Sequence, residues 1–246
     1  VVQYVHAKRE ERFRPPFQEV LRQLSAKRSR FDAVVLCNPN KPTGQVINRS
    51  ALCELAEVVE RLQGWLIVDE AFIDYCHEQS VVFVLREHPR MVLLRSLTKF
   101  YAMPGLRIGY ALGASKIVDR LKDRQPPWSV NSLVQDASCA VLHDDVYARK
   151  SRAFMENERS RFVRGLRSLS GLRVYPSAAN FVLIELPAWT SAGAVTDGLA
   201  SEGLLVRDCS PLPGLTMQMI RVAIRTPKEN RRLIAALGGF LTKRQS

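Results

Sequence analysis

The segment Arg95-Ser96-Leu97-Thr98-Lys99-Phe100 sets a lysine between two hydroxyls and a short way before Arg107, in Pro104-Gly105-Leu106-Arg107-Ile108-Gly109-Tyr110. A lysine amine so placed, where a strand gives way to a loop, suits imine formation with a phosphorylated aldehyde. The amine attacks the carbonyl, while the hydroxyls and the guanidinium serve the phosphate dianion. Taken alone, the pattern is equally that of a buried strand ending in Ser, Thr and Lys, and Arg107 alone could be one half of a surface ion pair.

Two upstream segments extend the pattern. Asn38-Pro39-Asn40-Lys41-Pro42-Thr43-Gly44 follows the apolar run Ala33 to Cys37, and Asp69-Glu70-Ala71-Phe72 closes the run Trp65 to Val68. Each polar group stands where a run of strand length ends and a loop begins, which is where open α/β sheets collect ligands. An aspartate that merely caps the next segment is the bland reading of Asp69.

The elements that must position these groups follow from periodicity. Phe17 to Leu24 reads as a short helix before the first strand. Between the first two strands, Ser50 is expected to cap a helix with Leu52, Leu55, Ala56, Val59 and Leu62 on one face, and Gly64 to stop it. Such a β-α-β unit makes the strands parallel, so Asn38 to Lys41 and Asp69 emerge at one sheet edge. Met91 to Arg95 is a third strand. Ile108 to Leu112 is a fourth, antiparallel because the connection through Lys99 and Pro104 is too short for a helical crossover. Helix is expected from Ser115 to Asp123, with Pro126-Pro127 breaking it, and again over most of Asn131 to Ser170.

Beyond Gly171 the pattern shortens: strands at Leu172 to Tyr175, Asn180 to Leu186, Leu204 to Arg207 and Met219 to Ile224. A last helix follows, capped by Thr226 with Pro227 in its first position and Leu233, Ile234, Leu237 and Leu241 turned inward. The expected organisation is a large domain over residues 1–145, then a bridging helix and small α+β domain over 146–246.

Composition narrows the function classes. The 246 residues carry 46% hydrophobic side chains, as expected of a soluble globular chain. No run approaches the roughly 18 consecutive apolar residues of a membrane span. The five cysteines are scattered and never in C-x-x-C spacing, which reads as reduced thiols in a cytoplasmic protein. The four histidines show no ligand spacing, so no metal is expected. The net charge of +12 invites a nucleic-acid reading. The cations, however, spread along amphipathic helices and at Lys8-Arg9, Lys27-Arg28 and Arg231-Arg232, without interleaved aromatics. A solvated surface whose positive field draws in phosphorylated small molecules is the expectation.

The order N-P-x-x-P-T-G, D-E-A-F, S-L-T-K and G-L-R-x-G resembles the fold-type I pyridoxal-phosphate enzymes of the aminotransferase class I/II group, over nearly the whole chain. Within that group Asp69 to Tyr75, the Lys99 segment, Pro127-Trp128-Ser129-Val130-Asn131 and Ile220-Arg221-Val222-Ala223-Ile224-Arg225 are most similar to the threonine-phosphate decarboxylase branch of cobalamin biosynthesis. The histidinol-phosphate aminotransferases are the close alternative. The resemblance implies an α/β fold: a large domain with a mostly parallel sheet and helices on both faces, and a smaller α+β carboxy-terminal domain. It also implies a homodimer. Members of the group extend further at the amino end, where a glycine-containing turn cradles the cofactor phosphate, so a truncated chain is expected, either impaired or surviving as an inactive fragment.

The resemblance also assigns roles. Lys99 would hold pyridoxal 5'-phosphate covalently and then move protons at the substrate α-carbon, its pKa lowered by burial beside cations such as Arg107. Asp69 would pair with the pyridine nitrogen and keep it protonated. Ser96, Thr98 and Arg107 would surround the phosphate. Phe72 stands where many relatives carry a tyrosine, and Lys41 where they carry an asparagine, which leaves Asn40 or Lys41 to contact the cofactor's phenolic oxygen. Arg221 would grip the substrate carboxylate and Arg207 the substrate phosphate. Asn131, Asn180 and Trp128 would line the pocket, Trp128 being equally a core residue. The implied reaction is decarboxylation of O-phospho-L-threonine to aminopropanol phosphate, with transamination of histidinol phosphate as the alternative.

Overall fold

The computed structural model describes residues 1–26 and 31–242, so Lys27-Arg28 lies outside the described residues. Two compact units emerge. One comprises residues 16–40 and 46–152, the other residues 1–15, 41–45 and 153–246.

The first unit opens with α1 (Phe17–Leu24), β1 (Ala33–Cys37), α2 (Arg49–Arg61), β2 (Trp65–Asp69), β3 (Met91–Ser96), α3 (Leu97–Phe100) and β4 (Gly109–Gly113). It continues through α4 (Ser115–Lys122) and α5 (Ser132–Leu142), and α6 (Asp145–Arg167) begins in it. The strands form one sheet in the order β1-β2-β3-β4. The first three are parallel and β4 runs antiparallel to β3.

Alternation along the strands decides what is covered. Leu66, Val68, Met91 and Leu93 share a face and meet Leu52, Leu55, Ala56 and Val59 of α2, with Leu24 of α1 in the same core. On the other face Val35 and Leu94 remain 67% and 40% exposed.

Two local expectations are corrected. Asn48, not Ser50, caps α2: its side chain accepts the Ala51 N–H at 2.8 Å, while the Ser50 hydroxyl donates to it at 2.9 Å. Gln63, not Gly64, takes the left-handed conformation after the helix, with φ 60°. Gly64 is needed for space, because a Cβ there would sit 2.4 Å from the Phe31 ring. Leu62, expected on the inner face, is 43% exposed. Asn48→Ala should cost about 1 kcal/mol, seen as a lower melting temperature in calorimetry, whereas Ser50→Ala should cost less.

The second unit contains the rest of α6, then β5 (Arg173–Val174), β6 (Phe181–Glu185), α7 (Ala192–Ser201), β7 (Arg207–Asp208), β8 (Met219–Ala223) and α8 (Pro227–Thr242). Its sheet is antiparallel throughout, in the order β5-β6-β8-β7. The expected strand from Leu204 is confined to Arg207–Asp208, and Leu205 is 89% exposed. Helix α8 starts with a reciprocal cap. The Thr226 hydroxyl meets Glu229 at 2.6 Å and accepts the Glu229 N–H at 3.4 Å, which with Arg225 holds the Glu229 carboxyl down at about 2. Leu233, Leu237 and Leu241 are buried as the pattern demands.

Residues 1–15 belong to this unit. Phe13 is 2% exposed and meets Tyr175 edge-on at 5.0 Å. Burial and a hydrogen bond to Glu185 push the Tyr175 phenol up to about 12. The stability that this proton carries is therefore present below the ordinary phenol range and lost as pH rises through about 12.

Candidate active site

Because β1, β2 and β3 are parallel, their carboxyl ends reach one edge of the sheet. Cys37, Asp69 and Leu94 stand in register there. Ser96, two residues beyond Leu94, shares their face. Asp69 is held at both carboxylate oxygens: Oδ1 accepts the Ala71 N–H at 2.9 Å, and the Cys37 thiol lies 3.8 Å from Oδ2. Asn38, wholly buried, is occupied by structure. It donates to the Ile47 carbonyl at 3.2 Å and accepts the Ile47 N–H at 2.8 Å, closing the loop between them. Asn40 is half-buried and Lys41 exposed.

Lys99 sits on α3, a single turn begun by Ser96. With φ −130° and ψ 124° Ser96 is still extended, and its hydroxyl accepts the Thr98 N–H at 3.4 Å. The same Oγ meets Thr98 Oγ1 at 2.8 Å and accepts from Lys99 Nζ at 3.1 Å. Lys99 Nζ also lies 5.8 Å from the centre of the Phe72 ring. Ser96, Thr98, Lys99 and Phe72 are thus brought together. Lys99 is exposed, where burial had been expected.

Arg107 does not join this group by its side chain. Its backbone is left-handed, φ 50° and ψ 50°, and its guanidinium donates to the Pro104 carbonyl at 3.1 Å. The main chain nevertheless brings the segment close, since Gly109 pairs with Ser96 and the Leu97 N–H reaches the Ile108 carbonyl at 3.3 Å. Asn131 caps α5 by accepting the Val134 N–H at 2.9 Å. Trp128 is 95% exposed, so it is no core residue.

Arg207, Arg221 and Asn180 belong to the second unit. Arg207 and Arg221 lie directly opposite one another on β7 and β8. Arg221 stacks on Phe181 at 4.8 Å. Burial, with Arg207 acting in the same direction, lowers the Arg221 guanidinium below its ordinary value. Two cations facing across a ladder repel unless an anion lies between them. Asn180 precedes β6, and its carbonyl accepts the Ile224 N–H at 2.9 Å.

A cluster behind the strand ends escaped sequence reading. Glu70 is fully buried; its Oε1 accepts the Val81 N–H at 3.1 Å and its Oε2 the Ser80 hydroxyl at 3.0 Å. Arg95 Nε lies 2.8 Å from Glu70 Oε2 but off the N–H direction, so the contact is ionic. The Arg95 guanidinium also reaches Asp74 at 3.4 Å and donates to Ser80 at 2.8 Å. Burial pushes the Asp74 carboxyl above the usual range, against the pull of Arg95 and Arg152. One signal was available: Arg95 continues the buried alternation Met91, Leu93, and a cation there requires a carboxylate.

A lysine turn and a held aspartate thus stand at adjacent parallel strand ends of an α/β scaffold. The family model for aminotransferase class I and II matches residues 1–237. The chain is 38% identical over 214 residues to the threonine-phosphate decarboxylase of Salmonella typhimurium, covering 86% of this chain and 58% of that protein. It is 34% identical to a histidinol-phosphate aminotransferase of a Thermoanaerobacter species, covering 85% and 57%. The histidinol-phosphate aminotransferase structure from Clostridium acetobutylicum superposes with a TM-score of 0.89 at 30% identity, covering 95% of this chain and 70% of that one. The chain therefore belongs to the aminotransferase class I and II family, whose cofactor is pyridoxal 5'-phosphate. It spans under two thirds of the length of these two curated relatives. Among the described residues no helix is long and apolar enough to cross a membrane, and no three His, Cys, Asp or Glu side chains gather as a metal site.

Proposed function

We propose that this chain carries the cofactor and substrate residues of a decarboxylase acting on O-phospho-L-threonine and releasing aminopropanol phosphate. The observation that carries the reading is the facing pair Arg207 and Arg221. A substrate with both a phosphate and a carboxylate, such as O-phospho-L-threonine, uses two cations at once. The identity to the Salmonella enzyme supports the same choice.

The donor set fits pyridoxal 5'-phosphate: Lys99 offers a primary amine, Asp69 a carboxylate fixed at both oxygens, and Ser96 and Thr98 hydroxyls. When bound, the cofactor accepts into its ring the electrons released at the substrate α-carbon. Asp69 would keep the ring nitrogen protonated. Ser96 and Thr98 would hold the phosphate, with Arg107 joining them only on leaving the Pro104 carbonyl, and Asn40 or Lys41 would face the phenolic oxygen. Phe72 would cover Lys99 without offering a hydroxyl. Arg221 would orient the substrate carboxylate, Arg207 its phosphate, and Asn131 and Asn180 would border the pocket. Lys99, freed once substrate binds, would return a proton to the α-carbon. The assembled enzyme would be a homodimer.

Supplying O-phospho-L-threonine alone, and histidinol phosphate with 2-oxoglutarate in a parallel reaction, separates the two chemistries. Carbon dioxide from the first without glutamate from the second is expected, and the reverse would sink the decarboxylase reading. Arg221→Gln should raise the KM for phosphothreonine about tenfold to a hundredfold, the scale of lost charge-assisted hydrogen bonds. An unchanged KM would remove Arg221 from the substrate site.

A further inference from the structure

The turn that carries Lys99 is four residues long, and a helix so short leaves its carbonyls without intrahelical partners. Two tyrosine hydroxyls from the same unit take their place. Tyr147 of α6 donates to the Phe100 carbonyl at 2.9 Å. Tyr75 donates at 3.4 Å to the Lys99 carbonyl, which also accepts the Ala102 N–H at 3.3 Å. Their rings enclose Phe100: Tyr75 meets it edge-on at 5.2 Å and Tyr147 at 6.1 Å, while the Arg152 guanidinium stands 5.7 Å from its centre. At the opposite end the turn is fixed by the Ser96 cap and by the Leu97 N–H on Ile108. The backbone of Lys99 is therefore fastened on both sides although the residue is exposed.

We propose that Tyr147 is a positioning residue for Lys99. Its hydroxyl closes the carboxyl end of the turn and keeps the amine on Ser96 and against Phe72, with Tyr75 adding a second, longer tie. The inference deepens the functional reading and rests on Lys99 being the cofactor lysine. A phenol-to-carbonyl hydrogen bond is worth roughly 1 kcal/mol, about a fivefold change in an equilibrium. Displacing a reacting group by a fraction of its working distance costs more in rate than in binding.

The test uses Tyr147→Phe, which keeps the ring against Phe100 and removes only the hydroxyl. Two labels are read by peptide mass spectrometry. The first is acylation of the cofactor-free chain by acetic anhydride, with Lys116 and Lys122 as internal references. The second is reduction by borohydride with limiting pyridoxal phosphate. Loosening the turn releases the amine from Ser96, so acylation of Lys99 should rise about threefold relative to the references while its pyridoxyl labelling falls about fivefold. Opposite changes at one residue are not what general loosening produces, because that raises every lysine together. Tyr101→Phe, whose ring stacks on Tyr147 at 5.9 Å, should match the wild type in both. Wild-type acylation of Lys99 in Tyr147→Phe, or a rise shared with the references, would overturn the positioning role. A wild-type chain that acquires no pyridoxyl label at Lys99 would overturn the cofactor reading instead, while acylation still decides what Tyr147 does.

Discussion

Lys99→Ala, mixed with pyridoxal phosphate and reduced with borohydride, is expected to show no pyridoxyl label on the peptide containing residue 99, while the wild-type chain is labelled there above all other lysines. On the proposed decarboxylase reading, turnover of phosphothreonine should fall by about 10⁴-fold or more, the scale on which enzymes lose a covalent nucleophile. The folded state should hardly notice. Lys99 is exposed, and the Ser96 hydroxyl to which it donates keeps Thr98 when the amine is gone. A surface truncation of this kind shifts stability by no more than about 0.5 kcal/mol. Wild-type label spread evenly over other lysines would mean that Ser96, Thr98, Lys99 and Phe72 do not make the cofactor site.

Glu70→Gln should behave in the opposite way. The substitution preserves volume but removes the closer of the two carboxylates that face Arg95, in a fully buried position, and leaves that guanidinium with Asp74 at 3.4 Å and the Ser80 hydroxyl at 2.8 Å. Breaking a buried pair from one side costs about 3–5 kcal/mol, because the surviving charge stays out of water and keeps only the more distant carboxylate. For a chain of this size that lowers the melting temperature by about 6 °C or more. Labelling of Lys99 below the transition should persist. A variant that melts with the wild type would show that Asp74 and Ser80 suffice for Arg95.

These two residues also show what the sequence made legible. Strands β1, β2 and β3 could be read because each is an apolar run of strand length, and the antiparallel β4 because its connection is too short for a crossover. Ser96, Thr98 and Lys99 could be placed together because one helical turn joins them. Arg107 could not: a left-handed backbone turns its guanidinium to Pro104, and no composition rule demands that conformation of an arginine. The cap of α2 was misassigned because Asn48 and Ser50 are both capping types, and only the structure shows the serine donating to the asparagine. The expected strand at Leu204 failed for another reason: an apolar run has no ladder unless a neighbour extends beside it, and the pairing with β8 reaches only Arg207 and Asp208. Glu70, Asp74, Ser80 and Arg95 are separated along the chain and meet only through the sheet.

The alternation at the ends of β2 and β3 has an evolutionary consequence. Asp69 and Ser96 stand on the face that the proposed reaction would use, and their immediate neighbours Glu70 and Arg95 on the opposite, packed face. On that proposal, variation at the first pair would be filtered chiefly by turnover, and variation at the second by survival of the fold. Adjacent positions would then answer to separate selective pressures, except at Ser96, whose hydroxyl also caps the lysine turn.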